Sequence, residues 1–569
     1  MRGKLQIVIF AGFLVGTACL FRYLSGPFYF GNNSDPSYFY FYNFLYILEG
    51  KSLQFVDHPG APLDILGALV VKIFFNPQTN IPWLLTNAHQ VELVLGLVWF
   101  LMIVIYATTF VMLGFYALKK SQDRVFTGLV LLSSLWLIMV RSYAVQGILP
   151  ISANVNSETM MMTADNLMLL AILRFYFSAK TESAAQAISL GAAVAFAIAT
   201  KFTALPFFIV AWCILVTWQQ RVLLGVVVTG GFVALTWPIW GAYGHMISWV
   251  KGLIIDRGMH GSGGEGFDGA GYLMNFFGWA IKDYWFFVAG WGLTAVIALR
   301  AKRLEAKIRR ILLAVATGGL VQVLIVAKQP SCQYMAPMIG LSSLGLVFLY
   351  QAFPDLWGRG FKFVVAIILA VTIGLIAVSM WQVNAKTQKT KEMLGTIAKD
   401  YSQCWVCPFY RSSMAGFGLV FWNNVIHRSD YAAILRTYYP NMVYYDIFVK
   451  DFKDVSQQIV PLAQLKRQRS RVLIYGSDQD EKSFEPNLTV KKIYTNGGSE
   501  ALYEVIAQHS NQATELFKYA VILYAQGHYE EALREAYMSQ QLGLGQDISG
   551  FFELLRQKMQ TPAPIGKKR

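Results

Sequence analysis

Apolar runs of about twenty residues recur through the first two-thirds of this chain, and that pattern leaves few folds open. A segment so long and so poor in charge must bond its own backbone groups inside a bilayer, so each run reads as a helix. Such runs are centred on residues 5–24, 91–117, 125–145, 159–178, 185–200, 203–219, 222–242, 276–299, 311–327, 332–351 and 363–382, about eleven expected spans. With 55% of residues apolar and 14% charged, the chain lies outside the range of soluble or disordered proteins. The charged residues divide almost evenly about residue 383, 40 before it and 41 after, although the second part is half as long. The expected organisation is therefore a membrane domain over 1–383, an extracytoplasmic α/β domain over 384–508, and a helical segment with a basic tail over 509–569.

A net charge of +15 would suit a nucleic-acid partner in a soluble protein, but here Lys and Arg gather in short connections between apolar runs. Lys119, Lys120 and Arg124, then Arg174 and Lys180, then Arg221, then Arg300 through Arg310, then Arg359 and Lys362 all fall on alternate connections. Topology explains this spacing and nucleic acid does not, so the N-terminus is expected in the cytoplasm and the terminal domain outside it, in a bacterial inner membrane. The first run has no convincing small-x-small cleavage site and reads as a retained helix. Residues 61–75 are short for a crossing and read as a helix lying at the membrane surface.

Carboxylates and imidazoles near span ends are the places to look for chemistry. Asp35 follows the first span in Asn33-Ser34-Asp35-Pro36-Ser37-Tyr38, where Pro36 is expected to hold it extended and where it is placed to cap a helix starting at Pro36. An aromatic stretch, Tyr38 to Tyr42, follows. Asp57-His58-Pro59-Gly60-Ala61-Pro62 then forms a rigid turn presenting an acid and an imidazole; a solvated turn is the alternative.

With Ala199-Thr200-Lys201-Phe202-Thr203-Ala204 added, this order of features resembles the polytopic GT-C glycosyltransferases, closest to the branch of protein O-mannosyltransferases and lipid A aminoarabinose transferases. The resemblance covers most of residues 1–350. It implies an inverting transfer of sugar from a polyprenyl-phosphate donor to an acceptor hydroxyl, with Asp35 as general base and Asp57 and His58 as auxiliary polar groups. The family often has Glu directly after this Asp, whereas Pro36 stands here.

A phosphate leaving group needs cationic partners in a low-dielectric site. Lys201, isolated in an apolar run, is the leading candidate, with snorkelling as the alternative. The glycine-rich stretch 256–266 offers Arg257 toward phosphate and His260 and Glu265 toward acceptor or sugar; a plain surface loop is the alternative. Lys328 and Tyr334 occupy the place where the family frequently has a basic residue before a Tyr, with Gln333 where Arg or His is expected. Glu158, heading a span with Asp165 two turns on, is placed to bond sugar hydroxyls, although an acid in a first helical turn is favoured anyway. Asp57, His58 and His260 are the candidate ligands for a divalent metal, but no spacing resembles a closed site, and no metal or other cofactor is assigned.

In the polar part, Arg471–Tyr475 ending in Gly476 reads as a buried strand entering a turn. Cys404 and Cys407 admit a local disulfide, two free thiols or a redox pair. Residues 513–544 read as paired helices around Gly527-His528-Tyr529, similar to one tetratricopeptide-type unit or a plain hairpin, with a surface suited to a protein partner. The donor lipid, an acceptor of unknown kind and membrane lipids are the other expected partners. A secondary transporter or flippase is the competing class, which would place ionisable groups at the bilayer midplane and show two related halves.

Overall fold

The computed structural model describes residues 2–560 except 54, 57–58, 139, 143–148, 256–268, 301–304, 328–331, 353–358, 426–429, 448, 485–486, 496, 498–499, 509–511, 526–527 and 542–547. It divides into two units, one of residues 1–388 with 418–434, the other of 389–417 with 435–569.

The first unit is helical. In order come α1 (Arg2–Leu24), α2 (Gly31–Glu49), α3 (Ala61–Phe75), α4 (Pro77–Thr86), α5 (Ala88–Ser121), α6 (Arg124–Leu137), a short antiparallel pair β1 (Arg141–Ser142) and β2 (Leu149–Pro150), α7 (Ser157–Phe177), α8 (Ala184–Thr200), α9 (Leu205–Ile214), α10 (Trp218–Leu235), α11 (Tyr243–Ile255), α12 (Gly269–Arg300), α13 (Ala306–Val326), α14 (Ala336–Leu341), α15 (Leu344–Ala352) and α16 (Arg359–Asp400). Among the described residues, seven stretches are long and apolar enough to cross a membrane: Gly3–Leu24, Ala88–Ser121, Ser157–Phe177, Trp218–Leu235, Ala306–Val326, Gln333–Gln351 and Ala366–Asp400. The chain is thus a helical membrane protein. Arg124–Leu137, Ala184–Thr200, Phe202–Ile214 and Val288–Arg300 are apolar helices too short for that criterion.

Two expectations about Asp35 are corrected. It does not cap a helix at Pro36, and it is not extended: α2 begins at Gly31, its N-cap Phe30 makes no side-chain cap bond, and Asp35 and Pro36 lie inside the helix. Pro36 falls in the second turn, after the Ser34 N–H already bonds the Phe30 carbonyl at 3.2 Å, so its missing N–H costs one helical bond. Burial offsets that cost. Tyr38, Tyr40, Phe41, Tyr42 and Tyr46 are all buried, so α2 is apolar nearly all round and packing outweighs the pre-proline preference.

What covers those rings is the returning segment 418–434. The Tyr42 hydroxyl donates to the Leu419 carbonyl at 2.7 Å, the Phe39 and Trp422 ring centroids are 4.2 Å apart, and Tyr431 donates to Glu49 at 2.8 Å while its ring stacks on Tyr42 and Tyr46. At the other end of α2, Glu92 of α5 accepts from the backbone N–H groups of Phe28 and Tyr29 at 2.6 and 2.9 Å and from the Tyr38 hydroxyl at 3.2 Å. Helix α2 is therefore pinned at both ends by side chains distant in sequence.

The second unit takes α17 (Phe417–Val425) only by its first residue, α18 (Ala432–Tyr438) from Leu435 onward, and all of α19 (Leu462–Gln468). Its sheet orders β3 (Trp405–Pro408), β6 (Val472–Ser477), β8 (Glu500–Gln508) and β7 (Leu488–Thr495), with β3 parallel to β6 and the remaining pairs antiparallel. A hairpin of β4 (Val443–Asp446) and β5 (Asp451–Asp454) is a separate two-stranded sheet whose Tyr445 and Phe452 pack with Cys407, Ile474 and Tyr503. Strand β6 matches the expected strand but runs through Gly476, where a side chain would strike the Phe409 ring.

Cys407 lies on β3 and Cys404 in the bend just before it. Cys407 packs with Phe409, Ile474 and Tyr503, while Cys404 packs with Leu473, Tyr475 and Leu502 in a separate apolar cluster. Both are buried free thiols, and burial pushes the Cys407 thiol up from its ordinary pKa. Of the three alternatives for this pair, two free thiols is the observed one. Alkylation of the denatured, unreduced protein should therefore label both positions, read by peptide mass mapping; protection of both until a reductant is added would contradict two free thiols.

Chain-terminal helices α20 (Gln512–Ala525), α21 (Tyr529–Gln541) and α22 (Ser549–Gln560) follow. Ala520, Ala532 and Ala536 are buried where α20 and α21 approach, and α22 adds Phe552 and Leu555 to the same apolar contact. The expected hairpin is present, with a third helix packed on it.

Candidate functional site

Helix α7 starts where it does because Asn156 accepts from the Thr159 backbone N–H at 2.8 Å, a side-chain cap that fixes Glu158 in the first turn. Helix α8 stops at Thr200. Lys201 is extended, with φ −160° and ψ 134°, between that helix and a turn of 3-10 helix over Phe202–Ala204. This break directs the Lys201 side chain into the bundle, where its Nζ pairs with Glu158 Oε1. Side-chain exposures of 1% and 6% show that the lysine does not snorkel.

Tyr334, on the 3-10 turn Cys332–Met335, completes the cluster with its ring centroid 4.7 Å from Lys201 Nζ. Its backbone is held in turn by Gln322 of α13, whose amide donates to the Tyr334 carbonyl at 2.7 Å. Ser157 donates to the second Glu158 oxygen at 3.2 Å. Three of the expected site residues are thus brought together, Glu158 and Tyr334 each meeting Lys201, although they come from distant parts of the sequence.

A fourth segment joins through the backbone. The Gly60 N–H donates to the Thr200 carbonyl at 3.1 Å, which ties the turn before α3 directly to the residue preceding Lys201. Gly60 is left-handed at φ 58°, and a Cβ there would lie 2.7 Å from the Tyr40 ring, so glycine is required on both counts. Tyr40 belongs to α2, the helix on which Asp35 sits. Helix α3 forms over the expected residues, 61–75, capped by that glycine with Pro62 in its first turn.

Of the remaining expected residues, Asp35 is placed on α2 by its backbone alone. Asp57, His58, Arg257, His260, Glu265 and Lys328 lie outside the described residues.

Chemically, a buried ammonium between a carboxylate and an aromatic face is a cation held ready in a low-dielectric setting, where it interacts strongly with an added anion. The carboxylate makes the resting state neutral, and the ring favours the cation without neutralising it.

Three buried acids were not singled out from the sequence as site groups. Asp64 of α3 accepts from Asn43 at 3.2 Å, and Asn43 also donates to the Phe55 carbonyl at 2.8 Å. Glu92 holds the entry to α2 as described above. Asp165 of α7 is fully buried, and neither carboxyl oxygen has a hydrogen-bond partner among the described residues. Asp64 and Glu92 are each the one acid of an apolar helix and Asp165 shares its span with Glu158, which is the signal that marks them.

No family model and no curated protein sequence matches this chain at significance.

Proposed function

We propose that this chain is a GT-C-type membrane glycosyltransferase of about eleven spans that moves a sugar from a polyprenyl-phosphate donor to an acceptor hydroxyl on the extracytoplasmic face. The observation that carries this reading is the buried Lys201, paired with Glu158 and faced by Tyr334, with Gly60 bonded to its neighbour Thr200. An isolated surface charge or a topological marker would need none of these partners.

In this reading Asp35 removes the proton from the acceptor hydroxyl as that oxygen bonds to the anomeric carbon. The bond from that carbon to the phosphate oxygen breaks, its electron pair leaves with the phosphate, and the anomeric centre inverts. Lys201 stabilises the charge that develops on the phosphate, turning from Glu158 toward the stronger anion, and Glu158 is then free to bond a sugar hydroxyl. Arg257 and Lys328 are assigned to the phosphate, and Asp57, His58, His260 and Glu265 to acceptor or sugar, on the resemblance alone.

Photo-crosslinking tests the assignment. A polyprenyl phosphate with a diazirine near its phosphate should label peptides containing residues 199–204 and 332–338 in the purified protein. Labelling confined to other segments would reject it.

Asp165 favours a second reading, transport, because an acid without partners inside a spanning helix is a recurrent feature of ion-coupled carriers.

A further inference from the structure

Two of the basic connections that topology explains in the sequence converge in space on one cavity. It holds about 660 Å³ and is lined by Arg221 from the first turns of α10, by Arg309 and Arg310 from the first turns of α13, and by Trp212 of α9. The positive-inside rule requires basic residues in a connection, and it does not require them to share a cavity.

Their positions are electrostatically unusual. Helix N-termini carry partial positive charge and favour acids, yet Arg309 and Arg310 stand in the first turns of α13, while Arg221, in the first turn of α10, reaches the Leu215 carbonyl at the C-terminal end of α9. Glu305, the residue at the α13 N-cap, makes no side-chain cap bond. Among the described residues no carboxylate pairs with Arg221, Arg309 or Arg310. Arg221 Nε is buried without a partner, although one terminal nitrogen donates to the Leu215 carbonyl at 3.2 Å. The positive potential here is left for an anion to neutralise.

The shape of the surroundings identifies the kind of anion. Leu313 and Thr317 continue the cavity wall one and two turns along α13, and Leu320 and Leu324 extend the same face. Leu313, Leu320 and Leu324 are exposed in a helix long and apolar enough to cross a membrane, so this stripe is open to acyl chains. Trp212 and the exposed Trp218, in edge contact at 5.6 Å, flank the arginines as aromatic residues do at a membrane interface.

We infer that this cavity binds the headgroup of an anionic glycerophospholipid, its phosphodiester between Arg221 and the Arg309–Arg310 pair and its acyl chains along the Leu313–Leu324 face of α13. The site is separate from the Lys201 cluster and does not rest on the glycosyltransferase reading. A free phosphate would satisfy the guanidiniums but leave the adjoining apolar stripe without a role.

Native mass spectrometry of the full chain in detergent tests this, with phosphatidylglycerol, phosphatidylcholine and an uncharged-sugar polyprenyl phosphate as separate probes. Retention of phosphatidylglycerol should fall about fivefold for each guanidinium removed in Arg221→Gln and in the double change Arg309→Gln with Arg310→Gln. Phosphatidylcholine retention should not change. Removing two charges elsewhere, Lys119→Gln with Lys120→Gln, should leave phosphatidylglycerol retention within about twofold of wild type. The double change Arg309→Lys with Arg310→Lys should keep most of it, which separates loss of charge from loss of fold. The inference is overturned if the arginine variants retain phosphatidylglycerol as wild type does, or if the lysine control loses it equally. It is overturned also if millimolar inorganic phosphate displaces it, or if the polyprenyl phosphate is the probe whose retention the arginines control.

Discussion

Changing Lys201 to Met should destabilise the first unit by about 3–5 kcal/mol, because it strands the Glu158 carboxylate where water cannot reach it. Glu158→Gln should cost a similar amount for the opposite reason, leaving an ammonium with only the Tyr334 ring and no counter-charge. The informative variant is the double one, Glu158→Leu with Lys201→Met. Replacing both charges with apolar side chains removes the desolvation cost together with the attraction, so the double variant should recover most of the lost stability. Thermal unfolding in detergent, followed by tryptophan fluorescence, measures all three. If the single changes were neutral, the two side chains would not be paired and buried as described. If the double change were as damaging as either single one, packing rather than charge would be what the pair supplies.

The second large effect concerns Asp35. Under the glycosyltransferase reading, Asp35→Asn should lower the rate of sugar transfer by about 10²–10⁴-fold while leaving the fold and donor retention unchanged, because only proton removal from the acceptor is lost. Mass-spectrometric detection of product with a saturating donor reads the rate. An Asp35→Asn protein that transfers sugar at the wild-type rate would remove the general base from the mechanism. One that loses donor retention along with transfer would move Asp35 to the donor side.

How these residues come together was only partly legible in the sequence. Helix α3 was, since Gly60 and Pro62 mark its start and its fifteen residues are too few for a bilayer. The start of α2 was not: its N-cap is Phe30, which gives no capping signal, and Asp35-Pro36 imitates a helix start five residues too late. The covering of Tyr38–Tyr46 by residues 418–434 was also hidden, because composition reports that a segment is polar and not which helix it returns to.

The candidate site shows the same division. Lys201 and Glu158 each stood out as charges that a bilayer would exclude, but 43 residues separate them, and nothing local to either says that they meet. Their pairing follows from where α8 ends and α7 begins, and those ends are set by Asn156 and by the extended backbone at Lys201. Asp165 was visible as an acid in a span, whereas its lack of partners is a property of the packed helices around it. The spacing of the cysteines left their pairing open, because the apolar cluster that each joins is set by β3 and the bend before it.

The most direct measurement is native mass spectrometry of the purified wild-type chain incubated with a total envelope lipid extract, beside the Glu158→Leu with Lys201→Met variant, once its thermal unfolding matches the wild type, since it has no ammonium at the site. The account predicts that the wild type retains a polyprenyl-phosphate sugar, identifiable by its mass, and that the variant does not. Absence of any lipid-linked sugar from the wild type, or its equal retention by the variant, would contradict the account.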